Sequence, residues 1–307
     1  MILFIDDEPL SIEPYTHAVA AKGFEVKLLT SLGEVEDFLA IVHDGLRCIV
    51  LDVMFPVDKS LPGILISDGL TAGMPLFASL RAQYPLVPVV VLTNSMSVAV
   101  KSFFRNQQKC AFYYKTELLP DELARVVADL VEDKGSQLIE RLQLCLPGRG
   151  MAAKFEALSI EILEFLFVPP FKRVVPQVRR AGGHDIRDAI LPNNAANYFW
   201  SSLRSELDAR HIVVEFKNYT KPVGKAEVLQ LKEYLARKSL GRFGLLVSRL
   251  PPSGPALVAQ ANAYGDQDCL ILFLHDGDIE KMIEARRQGG DPSIFLEQMK
   301  EEFEWTY

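Results

Sequence analysis

Short, mostly apolar runs alternate with amphipathic segments along the first part of the chain. The runs are ILFI (2–5), EVKLL (25–29), CIVLD (48–52), VPVVVLT (87–93) and AFYYK (111–115). Between them, stretches near 9–22, 33–44, 69–83, 96–107 and 120–132 read as helices. Strands this apolar suit a parallel sheet covered on both faces and joined by right-handed crossovers. Five such units predict a doubly wound α/β domain whose binding site lies at the carboxyl ends of its strands.

The alternation then pauses. DELARVVADLVEDK (121–134) predicts the last helix of this domain, Gly135 a terminator, and Ser136 the cap of a further helix, SQLIERLQLCL. PGRG (147–150) breaks the chain again. We therefore place a first domain at 1–133, a helical linker at 134–149 and a second domain at 150–307. The linker's stripe of Leu138, Ile139, Leu142 and Leu146 either packs on the second domain or pairs with another protomer.

Beyond the linker, KFEALSIEILEFLF (154–167) predicts one amphipathic helix. RVVPQV (173–178), HDIRDAIL (184–191), HIVVEFKNY (211–219), FGLLVS (243–248) and CLILFLH (269–275) predict strands. Helical stretches at 196–209, 224–238, 254–264 and 278–303 lie between or after them. This is a second α/β layered domain. It contains no compact three-helix pattern of the kind that reads a DNA groove.

Composition narrows the class. With 307 residues, 49% hydrophobic and 24% charged, the chain is long enough for two ordinary folded domains. No apolar stretch reaches the roughly 18 residues of a membrane span, and ILFIDDE lacks the basic and apolar regions of a secretory signal. The four cysteines (Cys48, Cys110, Cys145, Cys269) are dispersed, without a CxxC pair. A cytoplasmic protein with reduced, structural thiols is the expectation. The net charge of −7 falls entirely in residues 1–135, which hold 11 basic and 18 acidic side chains. Residues 172–225 hold 10 basic and 5 acidic ones, a local excess that permits nucleic-acid binding there and equally describes a solvated basic face.

The polar residues at the strand ends carry the candidate chemistry. Asp6 and Asp7 end the first strand, Asp52 the third, Thr93 the fourth and Lys115 the fifth. Three converging carboxylates repel one another and call for a divalent cation, for which oxygen ligands suit Mg²⁺. A hydroxyl and an ammonium facing the same place suit a phosphoryl group. Taken singly, Asp6 or Asp7 reads as a helix N-cap, Thr93 as a β-branched strand residue and Lys115 as a surface lysine.

Together, these residues resemble the receiver domain of two-component response regulators over residues 1–133. The resemblance implies Asp52 as phosphoacceptor, with Asp6, Asp7 and the Met54 carbonyl helping to hold Mg²⁺. It implies Thr93 and Lys115 as phosphoryl contacts, and Phe112 as the switch aromatic. It also implies a histidine kinase or phosphotransfer protein as partner and a phosphorylation-dependent homodimer. Two departures stand out. Thr116 follows Lys115 where the family usually has proline, and VDKSLPGILISDG (57–69) is longer than the usual loop.

In HIVVEFKNY, period two sets His211, Val213, Glu215, Lys217 and Tyr219 on one face. Glu215 and Lys217 alone read as a surface ion pair. Upstream, Asp188 shares an otherwise apolar face with Ile186 and Ile190, and a buried carboxylate there needs a metal or a cation. Asp185 competes with it, but beside Gly182 and Gly183 a turn role suits it better.

Asp188 followed by Glu215-Phe216-Lys217 resembles the PD-(D/E)xK nuclease superfamily over roughly residues 150–275. The resemblance implies a restriction-endonuclease-like domain hydrolysing nucleic-acid phosphodiesters, with DNA the expected partner. Asp188, Glu215 and the Phe216 carbonyl would hold Mg²⁺ or Mn²⁺. Lys217, with a lowered pKa beside the metal, would orient and help deprotonate water. Glu156 or Glu161 would be the accessory acid. Gln230 and Tyr219 are either substrate contacts or, respectively, a helix-surface and a core residue. The expectation is a phosphorylation-controlled nuclease, and a role in defence against phage is natural for such a fusion. The alternative is a non-catalytic output domain that binds nucleic acid or a partner protein.

Overall fold

A computed structural model describes residues 1–41, 43–56, 69–179, 186–235 and 240–307. It divides into two units, Met1–Lys134 with Arg287–Gly290, and Gly135–Arg286 with Asp291–Tyr307. Asp185 and nearly all of the long loop after Asp52 lie outside the described residues.

In the first unit, β1 (Ile2–Ile5), β2 (Val26–Leu29), β3 (Cys48–Leu51), β4 (Val89–Thr93) and β5 (Cys110–Tyr114) form one parallel sheet in the order β2-β1-β3-β4-β5. That order is doubly wound and flavodoxin-like. The central strands are apolar on both faces because both are covered. Ile2, Phe4, Val50 and Leu92 pack against α1 (Pro9–Ala21) and α5 (Pro120–Val131). Leu3, Ile5, Leu51 and Val91 pack against α2 (Leu32–Leu39), α3 (Gly73–Gln83) and α4 (Val98–Arg105).

The junction differs from the expected one. Helix α5 ends at Val131, and Asp133 takes the left-handed turn at φ +48°. Gly135 therefore does not terminate a helix, and Ser136 does not stand ahead of one. Both lie inside α6 (Lys134–Leu144), where Gly135 is buried. Leu138 and Leu142 of α6 are buried in the core of the second unit with Ile139 packed against it, while Leu146, past the end of the helix, is exposed.

The second unit contains α7 (Ala152–Phe167), β6 (Val175–Arg179), β7 (Ile186–Pro192), α8 (Tyr198–Glu206), β8 (His211–Lys217), α9 (Lys225–Leu235), β9 (Phe243–Ser248), α10 (Gly254–Gln267) and β10 (Leu270–Leu274). Its sheet runs β10-β9-β8-β7-β6, with β8, β9 and β10 parallel and β6, β7 and β8 antiparallel. Period two again partitions the strands. Ile212 and Val214 enter the core shared with α6, α7 and α8, while Val213 enters the core under α9 and α10. The apparent single helix at 278–303 is two, α11 (Asp276–Arg287) and α12 (Ser293–Thr306). Gly289 at φ +86° and Pro292 separate them. Helix α12 covers the second unit, with Leu296 buried and Phe303 packed edge-on against Tyr264. The four cysteines are free and buried, and among the described residues no helix is long and apolar enough to cross a membrane.

The packing of α6 is testable. Leu138→Ala should lower the stability of the second unit by about 2–5 kcal/mol. Both tryptophans, Trp200 and Trp305, lie in that unit, so tryptophan fluorescence during urea unfolding reports it. An unchanged midpoint would mean that α6 is not part of this core.

Candidate functional site

Parallel strands end together, and the first unit places its polar residues there. Asp6 follows β1, Asp52 follows β3, Thr93 closes β4 and Lys115 follows β5. Asp6, Asp52 and Thr93 are buried. The Lys115 ammonium lies 2.8 Å from Asp6 Oδ2 and 2.8 Å from Asp52 Oδ2. Asp52 Oδ1 accepts from the N–H groups of Val53 at 2.6 Å and Met54 at 3.2 Å. Asp6 Oδ1 accepts from Glu8 N–H at 3.0 Å, and Thr93 Oγ1 from Ser95 N–H at 3.1 Å.

Asp7 completes the group. Asp6, Asp7 and Asp52 each offer a carboxylate oxygen, all within 4.8 Å of one another. An oxygen-only set of this size fits a hard divalent cation such as Mg²⁺. Burial pushes the Asp6 carboxyl up to about 6, against the opposing pull of Lys115. Burial also raises Asp7. For Lys115, burial acts downward, but the Asp52 and Asp6 carboxylates outweigh it and raise the net value. Phe112 is half-buried, stacked on Phe104 at 6.3 Å between ring centres, with its edge against Tyr114.

Two supporting residues escaped the sequence reading. The buried Tyr15 hydroxyl lies 2.8 Å from the Leu118 carbonyl and 3.1 Å from that of Lys115, fixing the turn after β5. Proline is absent from that turn, and a side chain from α1 steadies it instead. Gly73 opens α3 so close to the Asp52–Val53 backbone that a Cβ there would stand 2.5 Å from Val53 Cα. Tyr15 sits on the helical core stripe and so reads as an ordinary core residue. Nothing local marks Gly73.

In the second unit, the β7–β8 ladder runs from Pro192–His211 to Ala189–Val214. At the next step a side chain takes over: Asp188 Oδ2 accepts from Phe216 N–H at 2.8 Å. Strand β6 is distorted at the same level, because Gln177 stands at φ +48°. The Gln177 amide donates to Glu156 Oε1 at 3.1 Å.

On β8, Lys217 Nζ lies 2.7 Å from Glu215 Oε1. Gln230, on α9, donates to Glu215 Oε1 at 3.2 Å and accepts from Lys217 Nζ at 3.4 Å. Its amide also donates to the Tyr234 hydroxyl at 3.2 Å. Glu215 is 2% exposed, and its Oε2 is buried without a hydrogen-bond partner among the described residues. Such an orphaned carboxylate oxygen fits a cation. Burial raises Glu215 to about 6, with Asp188 and Glu156 adding to the rise. Asp188 is raised by burial and by Glu156, against the Phe216 N–H and Lys217.

The candidate residues therefore sort clearly. Asp188, Glu215, Lys217 and Gln230 come together, and Glu156 acts on both acids. Glu161 does not join them, because Arg141 takes its carboxylate in a two-pronged pair at 2.6 and 2.9 Å. Tyr219 is 41% exposed rather than in the core, since the strand has ended at Lys217. With Glu215 free to pair with it, Lys217 is raised: burial acts downward, but the contact with Glu215 outweighs it. Of the cations in 172–225, Arg187 and Lys217 turn inward, while Lys172, Arg173, Lys221 and Lys225 are exposed.

No protein-family model matches the chain, and no curated protein does. Solved structures similar to its N-terminal part include a CheY-like response regulator receiver domain protein from Methanospirillum hungatei. The two are 16% identical, over 44% of this chain and 96% of that one, with a TM-score of 0.34. The receiver domain of NtrX from Brucella abortus is 22% identical over 43% of this chain and 98% of its own, with a TM-score of 0.33. The signal receiver domain of an HD domain-containing protein from Pseudomonas fluorescens is 12% identical over 43% and 94%, with a TM-score of 0.34.

Two predictions follow from the first unit's acid pocket. Asp6 ordinarily titrates near 3.8 and is held near 6 here, so folding favours its neutral form. In metal-free protein its contribution to stability is therefore lost as pH rises through about 4 to about 6. Cation binding must expel that proton, so Mg²⁺ affinity should fall by up to about tenfold per pH unit below about 6. Calorimetric titration across this range checks both the sign and the proton release. Tyr15→Phe should slow labelling of Asp52 by acetyl phosphate by about fivefold, the equivalent of one net hydrogen bond. An unchanged labelling rate would remove Tyr15 from the positioning of Lys115.

Proposed function

We propose that the chain is a response regulator with a metal-dependent phosphodiesterase as output. In this reading a histidine kinase or phosphotransfer protein phosphorylates Asp52. The second unit then hydrolyses nucleic-acid phosphodiester bonds. The first half of the reading is supported by Lys115 bridging Asp6 and Asp52 at the carboxyl edge of a β2-β1-β3-β4-β5 sheet. The Asp52 carboxylate is the nucleophile for a phosphoryl group, Thr93 and Lys115 are its oxygen contacts, and Phe112 against α4 is the element that responds.

One observation carries the second half. Glu215 is 2% exposed with one carboxylate oxygen unpartnered among the described residues, and it lies on the strand next to that of Asp188. Asp188, Glu215 and the Phe216 carbonyl would hold the ion. Mg²⁺, when bound, supplies Lewis-acid stabilisation of the charge developing on the phosphoryl oxygens. Gln230 holds Glu215 and Lys217 in register from α9. With Glu215 engaged elsewhere, Lys217 is left to orient the attacking water and to meet the developing negative charge. The exposed cations of 172–225 supply the field that attracts a polyanion.

A second reading has its own observation. Among the described residues, only Asp6, Asp7 and Asp52 form a three-carboxylate metal group, and Lys217 already neutralises Glu215 directly. That favours a non-catalytic output that binds nucleic acid or a partner protein.

Two measurements separate the readings. With beryllofluoride and Mg²⁺, the full chain should cleave DNA or RNA, and Lys217→Ala should lower the rate by at least about a hundredfold, as loss of a transition-state donor does. Mn²⁺ should bind at a stoichiometry that falls by one ion per chain in Asp188→Ala. Cleavage of neither nucleic acid, with no Mn²⁺ lost in Asp188→Ala, would leave the binding-only output.

A further inference from the structure

The turn that follows α6 is fastened to the end of the strand that carries Glu215 and Lys217. Asn218 comes directly after Lys217 and is only 6% exposed. Its side-chain amide donates to the Leu146 carbonyl at 3.2 Å and to the Gly148 carbonyl at 3.0 Å. Gly148 N–H returns a hydrogen bond to the Asn218 carbonyl at 2.9 Å. Directly after β9, Arg249 closes the same joint. Its guanidinium donates to the carbonyls of Leu142, at 3.2 Å, and Cys145, and reaches Asn218 Oδ1 at 3.3 Å. Asp276 holds Arg249 in place from 2.7 Å, and the Phe155 ring lies 5.0 Å beneath the guanidinium.

These contacts do two things. They occupy carbonyls of the last turn of α6 and of the turn after it, where the helix's own ladder runs out. They also join α6 and its turn to β8 through two largely buried donors, the Asn218 amide and the Arg249 guanidinium, for which a lost partner is costly. At its other end, α6 begins at Lys134, immediately after the left-handed Asp133 that ends α5. One covalent path from the first unit, that at Lys134, therefore leads through α6 into a clamp on the residue beside Lys217.

We propose that Asn218 is a positioning residue for Lys217 and the point at which α6 delivers the state of the first unit to the second. The inference rests on the regulated-phosphodiesterase reading and adds its route of control. A rotation or axial shift of α6 moves the carbonyls of Leu146 and Gly148. Asn218 follows them, and the Glu215–Lys217–Gln230 network is retuned through the backbone of β8. The direction of control, activation or release of inhibition, does not alter this route.

Hydrogen–deuterium exchange on the full chain, with Mg²⁺ and with or without beryllofluoride, tests it without requiring catalysis. In the wild type, amides of residues 93–100 should respond as the first unit switches, and amides of residues 214–218 should change their exchange rate severalfold. Asn218→Ala should abolish the response at 214–218 and keep that at 93–100. A two-glycine insertion between Asp133 and Lys134 leaves every residue of the clamp intact and should abolish the same response, which covers the case of a poorly folded Asn218→Ala. A response at 214–218 that persists in both variants overturns the proposal. So does a wild type that responds at 93–100 and not at 214–218, and in that case the phosphodiesterase reading still stands or falls on Lys217→Ala. A first unit that does not respond at all overturns the receiver reading together with this route.

Discussion

A carboxylate withdrawn from water must be given a cation or several hydrogen-bond donors, or its desolvation is uncompensated. Both polar centres of this chain meet that constraint with a single lysine at a strand end. Lys115 is shared by Asp6 and Asp52, and Lys217 holds Glu215. Each lysine is itself largely buried, so neither partner can be deleted without stranding the other. The sheets serve this requirement. Only strands ending within a few ångströms of one another can bring acids distant in sequence to one ammonium.

The two centres apply the constraint differently. In the first, the lysine arrives from another strand and bridges two acids, leaving Asp7 at the edge of the group. Three carboxylates against one ammonium is a net negative pocket, which suits a cation and then a phosphoryl group drawn to it. In the second, acid and lysine are two residues apart on one strand, so their contact is local and uses only one oxygen of Glu215. Its other oxygen and the Asp188 carboxylate are what a further ligand would find. The sheet is irregular at that level, with an aspartate side chain replacing a ladder partner and a left-handed glutamine on the neighbouring strand.

Strand parity and strand ends were legible in the sequence because both follow from backbone geometry. Period two puts Glu215 and Lys217 on one face, and the βα alternation puts Asp6, Asp52, Thr93 and Lys115 at one edge. What depends on long-range contacts was not legible. Glu156 and Glu161 look alike on an amphipathic helix until Arg141, from α6, claims Glu161. The joint between α5 and α6 was misread because Gly135 is the better helix terminator by propensity, yet Asp133 takes the left-handed turn and Gly135 lies buried in α6.

An amphipathic stripe says only that a helix will be buried on one side, and leaves open which partner buries it. For α6 the polar contacts decide. Arg249 and Asn218 lie about 70 to 110 residues further along the chain, and they reach back to the last carbonyls of α6 and the turn after it. A helix held by apolar contacts alone can slide with little penalty, since such contacts are non-directional. A helix whose terminal carbonyls are held by a guanidinium fork and a buried amide cannot, because hydrogen bonds have fixed lengths and angles. The contacts that make α6 part of the second unit are therefore the ones able to convert its movement into a displacement at β8.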